Sequence, residues 1–192
     1  MKSKITLFIT GASVMILQII GVRILATQLG TTVAVWSCMI AVTITALAVG
    51  YYLGGFYADK GAHQKTRALF VAGAGIAVLL IIPLKEVVFM IGSSWPYGVR
   101  ATIVSFLLFV VPTVLLAMTT TYTTRMELDV VSKAGSNSGT LYAISTLGSI
   151  VGVFGTSFLL IPSFGVVSIL CAVAGTLIVT AVAGYLTSSV YR

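Results

Sequence analysis

The chain is poor in charge. Of its 192 residues only four are acidic and one is histidine, and charged residues make up 8 %. A soluble domain carries about 25 %. So little charge cannot cover a water-facing surface of this size, which excludes a soluble globular enzyme and a solvated disordered chain. The single histidine, His63, leaves nothing from which to build a histidine metal cluster or a Ser-His-Asp triad, and there is no nucleophile elbow and no phosphate loop. The sequence therefore points to no enzyme, no metal and no cofactor. Cysteine is scarce too: Cys38 and Cys171 both sit in apolar runs and read as small buried hydrophobes, not as a disulfide. What remains is apolar. Hydrophobic residues reach 58 % and the mean hydropathy is +1.13, which defines a polytopic membrane protein.

A spanning helix needs roughly 20 mostly apolar residues. Six such runs are predicted, at about 5–27, 31–57, 68–91, 99–122, 140–161 and 164–186, forming one all-α transmembrane domain over residues 1–192. The first run is too long for the apolar part of a cleaved signal, and Gln18 and Arg23 fit a cleavage region poorly. Tight turns are expected at Gln28-Leu29-Gly30 and Pro162-Ser163, and a flexible loop at the Gly-Ser-Asn-Ser-Gly run 135–139. The net charge of +7 does not signal nucleic acid, because the cations fall at span edges. With both termini cytoplasmic, Lys2, Lys4, Lys60, Lys65, Arg67, Arg125, Lys133 and Arg192 lie inside, leaving only Arg23, Lys85 and Arg100 outside. The expected location is the cell (inner or plasma) membrane, with a basic inner edge suited to anionic lipid.

Polar groups at membrane depth face protein or water. Gln18 and Arg23 in the first span are of this kind, though five residues apart they do not share a helix face. Arg23 is near enough to the span end to snorkel, and Gln18 is suited to an interhelical hydrogen bond. Both are candidates for a substrate cavity, with Trp36 and Tyr142 as candidate wall residues. Trp95, Tyr97, Tyr51, Tyr52, Tyr57 and Tyr122 read as interfacial aromatics. Lys85 and Glu86 read as a helix-end pair. No Asp or Glu lies in the middle of any span, so a strongly cationic solute is harder to accommodate. Gly50 and Gly54, and Gly148, Gly152 and Gly155, carry the small-residue spacing that lets helices approach closely. Pro112 is a candidate kink that frees a backbone carbonyl.

Gly55, Asp59, Lys60 and Gly61 resemble the loop signature of major facilitator transporters, in which the glycine lets two helices meet and the aspartate contacts a neighbouring span. Over nearly the whole chain, Leu17-Gln18 through Arg23, Gly50 to Lys60, Pro112 to Met118, Leu141 to Gly152 and Leu160-Ile161-Pro162 with Gly165 resemble the membrane portion of fused spermidine-synthase-like proteins. That family often has glutamate where this chain has Gln18. None of the 192 residues resembles the soluble aminopropyltransferase part, so its activity is not implied. The resemblance implies a six-span bundle similar to half of a major facilitator transporter. Such a half would act as a parallel homodimer with alternating access for a small polar solute, polyamine-related, anionic or zwitterionic, with Asp59 and Lys60 at an inner gate. The alternative is a non-transporting membrane subunit that docks a soluble aminopropyltransferase-like enzyme or another membrane protein.

Overall fold

The computed structural model describes residues 2–127 and 134–190. Lys133 and Arg192, used above to orient the chain, lie outside them. Six long helices run in order: α1 (Lys2–Leu29), α2 (Val33–Asp59), α3 (Gln64–Ile91), α4 (Tyr97–Met126), α5 (Ala134–Gly155) and α6 (Val166–Val190). The α5 rod continues through a π-helical stretch, Thr156–Leu160, and a last α-turn, Ile161–Ser163. All six rods are long and apolar enough to cross a membrane, and the described residues contain no strand.

Each rod matches its expected span and runs past at least one of its ends, although α2 and α6 begin two residues later than expected. Helical hydrogen bonding does not stop where apolarity does, and the extra turns keep the backbone paired through the interface. The same reasoning corrects the expected loop at 135–139, which is helical. Composition marked it as flexible, yet its glycines and serines serve as the first turns of α5. The expected turn at Pro162-Ser163 is also displaced, to Phe164-Gly165. Pro162 lacks an N–H and its ring crowds the carbonyl four residues back, and the helix accommodates it by widening into the π-stretch just before it. Pro112 does not divide α4, which stays α-helical through it. The α1–α2 turn needs Gly30, whose φ is +75°.

The helices pair in a definite pattern. α2 packs on α4, α5 on α1, and α3 on α6, while α1 and α4 meet at the centre. α3 also touches α4, and α6 touches α1. The result is a row α2–α4–α1–α5 backed on one side by the α3/α6 pair. Exchanging the first three helices for the last three, in order, leaves this set of pairings unchanged. Two three-helix repeats therefore make up the bundle. Because three is odd, the second repeat runs opposite to the first.

The core lies where the repeats meet, around Leu17, Ile20, Leu25, Phe109, Leu116 and Leu177. α1 and α4 are each about half buried over their apolar windows, whereas α5 buries only 17 % of its window. Hydroxyls concentrate on the two central helices: Thr10, Ser13, Thr113, Thr119, Thr120, Thr123 and Thr124 are all buried. Most donate to a carbonyl of the preceding turn of their own helix, as Ser13 does to Ile9 and Thr120 to Leu116. Both cysteines are free, but Cys38 is only half-buried and Cys171 is exposed on α6. Their burial was read from apolar neighbours, and in a membrane helix an outward face is equally apolar.

Candidate functional site

Glycine sets the closest helix contacts, and it does so once in each repeat. A Cβ at Gly50 would stand 2.6 Å from the Val114 carbonyl oxygen of α4, and one at Gly54 2.6 Å from that of Met118. The counterparts on α5 are as tight or tighter against α1. A Cβ at Gly148 would stand 2.1 Å from the Phe8 carbonyl oxygen, and one at Gly152 2.6 Å from that of Ala12. Gly11 of α1 answers from the other side, its Cβ position 2.1 Å from the Ser145 carbonyl oxygen. Gly155 takes no part, because a Cβ there would meet nothing within 4 Å.

The row α2–α4–α1–α5 has one side free of α3 and α6. Ile9, Ser13 and Ile16 mark the opposite side of α1, where they line an open cavity of about 270 Å³ with Ile169 and Val173 of α6. Gln18 is two residues beyond Ile16, a rotation of about 200°, and so faces the free side. It is half-buried and has no hydrogen-bond partner among the described residues. The interhelical bond expected of it is not made among the described residues. Arg23 is seven residues beyond Ile16, about 20° off the same face, and it is exposed there. It therefore belongs to the α6 side, and the two candidates are not brought together.

Trp36 and Tyr142 are exposed at opposite ends of the bundle, on α2 and α5. They do not share a wall, since the antiparallel course of the helices separates them. Tyr142 instead lies within electrostatic reach of Tyr51 on α2. Both lie toward the basic end of the bundle. α2 and α5 scarcely touch otherwise.

At that end stand Lys4, Lys60, Lys65, Arg67 and Arg125, and Arg23, Lys85 and Arg100 stand at the other. Asp59 at the end of α2 pairs with Arg125 of α4, Nε to Oδ1 at 3.2 Å, with both side chains largely exposed. The Lys60 ammonium lies 4.1 Å over the Phe56 ring. Gly61 has φ +129°, so the loop demands glycine. Gly55 is different. A Cβ there would make only an ordinary 3.8 Å contact with Thr121, and the glycine that lets α2 meet α4 is its neighbour Gly54.

Two anchors of this end escaped the sequence. Tyr122 is fully buried, not interfacial, and its hydroxyl accepts from the His63 amide at 2.7 Å and donates to the Gly61 carbonyl at 3.2 Å. It staples the α2–α3 loop to α4, with Phe70 edge-on against its ring. Arg67 is 2 % exposed, and its guanidinium donates to the Ser3 hydroxyl, which donates in turn to Glu127. This relay joins the starts of α1 and α3 to the end of α4. A buried guanidinium demands such partners, because leaving it bare costs several kcal/mol (about 3–5). At the other end Lys85 and Glu86 pair at 3.3 Å. Arg100 donates to the Phe89 carbonyl at 3.3 Å with its Nε buried and unpartnered.

No group of three or more His, Cys, Asp or Glu side chains that could hold a metal occurs among the described residues. No family model, curated protein or solved structure matches the chain.

Proposed function

We propose that this chain is half of a membrane transporter and works as a parallel homodimer, moving a small polar solute by alternating access. The observation that carries the reading is the helix pairing that survives exchange of α1–α3 for α4–α6. Inverted three-helix repeats of this kind are nested in each six-helix half of major facilitator transporters, whose sites lie where the two halves face each other. A half alone has an open side. Here that side is the face of the row α2–α4–α1–α5 away from α3 and α6, and a second copy related by a two-fold axis along the membrane normal closes it.

Several features support a polar chamber on that side. Gln18 stands there with unspent hydrogen-bonding capacity, and Tyr51 and Tyr142 lie toward the basic end. At the edge of the row, the stripe of α2 opposite its glycine contact with α4 carries the exposed small residues Ala34, Ala41, Thr45 and Ala48 and ends at exposed Tyr52. Small residues there allow another helix to come close. With no carboxylate in mid-span, amide N–H and phenol O–H donors suit an anionic or zwitterionic solute, whereas a polyamine would have to be held by neutral oxygens and aromatic faces. The basic end faces the cytoplasm by the distribution of positive charge.

The test is uptake of labelled amino acids, dicarboxylates and polyamines into proteoliposomes by the wild type and Gln18→Leu. Saturable uptake of one class, lost in Gln18→Leu, is the expected result. No accumulation of any class in correctly inserted protein refutes transport and favours the docking of a soluble aminopropyltransferase-like enzyme or a membrane partner.

A further inference from the structure

An open groove of about 480 Å³ runs between the start of α3 and the last turns of α6, on the side of the bundle away from the proposed chamber. Its lining divides into two chemistries. Ala68 and Ala72 of α3, with Ala181 of α6, make a shallow apolar floor, and Leu69, Val182 and Leu186 wall it. From Lys65 to Ala72 it extends about 10 Å along α3. At the basic end of the bundle the groove opens at Lys65, whose ammonium stands 5.6 Å over the Tyr185 ring.

The first turn of α3 lies at the same mouth. His63, its N-cap residue, makes no side-chain bond to the helix, and its carbonyl already accepts from the amides of Thr66 and Arg67. The amides of Gln64 and Lys65 therefore have no acceptor within the helix, and at this end they and the helix dipole favour an anion. An apolar trough leading inward from a cation and a helix N-terminus at the membrane edge has the polarity of an anionic phospholipid. A peptide helix would find no complement for the basic mouth in an otherwise apolar groove.

We infer that this groove holds one anionic phospholipid, its phosphate at Lys65 and the start of α3 and one acyl chain along Ala68, Ala72 and Ala181. The inference does not depend on transport. Delipidated protein titrated with phosphatidylglycerol or phosphatidylcholine of identical chains, and read by native mass spectrometry, tests it. One phosphatidylglycerol is retained preferentially. Lys65→Ala weakens that retention about fivefold, the worth of one cation near an anionic surface. Ala72→Phe, which fills the trough, removes it while leaving the charge in place. Free glycerol 3-phosphate at millimolar concentration does not displace the lipid, since it lacks the chain. Equal retention of the two lipids overturns the inference, as does unchanged retention in Lys65→Ala or displacement by the free headgroup. Lys65 is an exposed side chain, so that variant stays informative even if Ala72→Phe disturbs the α3–α6 contact.

Discussion

Replacing Gly148 by alanine tests the packing most sharply. The added Cβ would stand 2.1 Å from the Phe8 carbonyl oxygen, where ordinary contact begins at 3.4 Å. That oxygen is backbone and cannot rotate away, so α5 must retreat from α1 by about 1.3 Å. The retreat opens the neighbouring contacts of Gly152 with Ala12 and Gly11 with Ser145. A gap of even 0.5–1 Å forfeits roughly a quarter to a half of the dispersion energy at a contact. Overpacking of this kind costs about 1–3 kcal/mol, which exceeds the gain of about 1 kcal/mol from a glycine-to-alanine change inside a helix. α5 has little else to hold it, since α1 is its principal neighbour. Gly155→Ala is the matched control: the same gain applies and nothing lies within 4 Å to clash. Thermal unfolding in a mild detergent should place Gly148→Ala below the wild type and Gly155→Ala at or above it, about 2 kcal/mol apart. If Gly148→Ala is as stable as Gly155→Ala, the close α1–α5 contact is not real.

Tyr122→Phe keeps the ring but removes the hydroxyl held by the His63 amide and the Gly61 carbonyl. It should cost about 1 kcal/mol and speed proteolysis of the α2–α3 loop in inside-out vesicles. Glu127→Gln, which takes the charge opposite buried Arg67, should lower stability by about 2 kcal/mol. Arg125→Gln, which breaks only the exposed pair with Asp59, should cost less than about 1 kcal/mol and lose that effect in high salt. Asp59→Asn should slow uptake into proteoliposomes while leaving the amount of inserted protein unchanged, if the Asp59–Arg125 contact between α2 and α4 breaks and reforms in the transport cycle.

The six rods were legible in the sequence because apolar run length is imposed by the bilayer itself. So were Gly50, Gly54, Gly148 and Gly152 as a spacing pattern, although only the structure shows which carbonyls they meet and that the two pairs correspond between repeats. Burial was far less legible. In a soluble chain an apolar residue marks the core, but here lipid-facing and core-facing positions are equally apolar. Tyr122 and Tyr51 read alike, yet one is sealed in the bundle and the other half-open. Arg67 read as an edge charge because sequence counts cations without seeing that Ser3 and Glu127, far away in the chain, fold onto it. Spacing marked Gly54 and the loop signature marked Gly55 as the glycine that lets helices meet, and a rotation of one residue, about 100°, decided that Gly54 meets α4. The helical run 135–139 shows the reverse error, since glycine and serine weaken a helix in water but do not forbid one that continues a membrane rod.

The claim on which the rest turns is that one chain supplies only one wall of the permeation pathway. Native mass spectrometry of the protein in lipid nanodiscs counts the chains directly. Two copies of the 20.1 kDa chain per particle are predicted, and a population holding a single chain contradicts the claim.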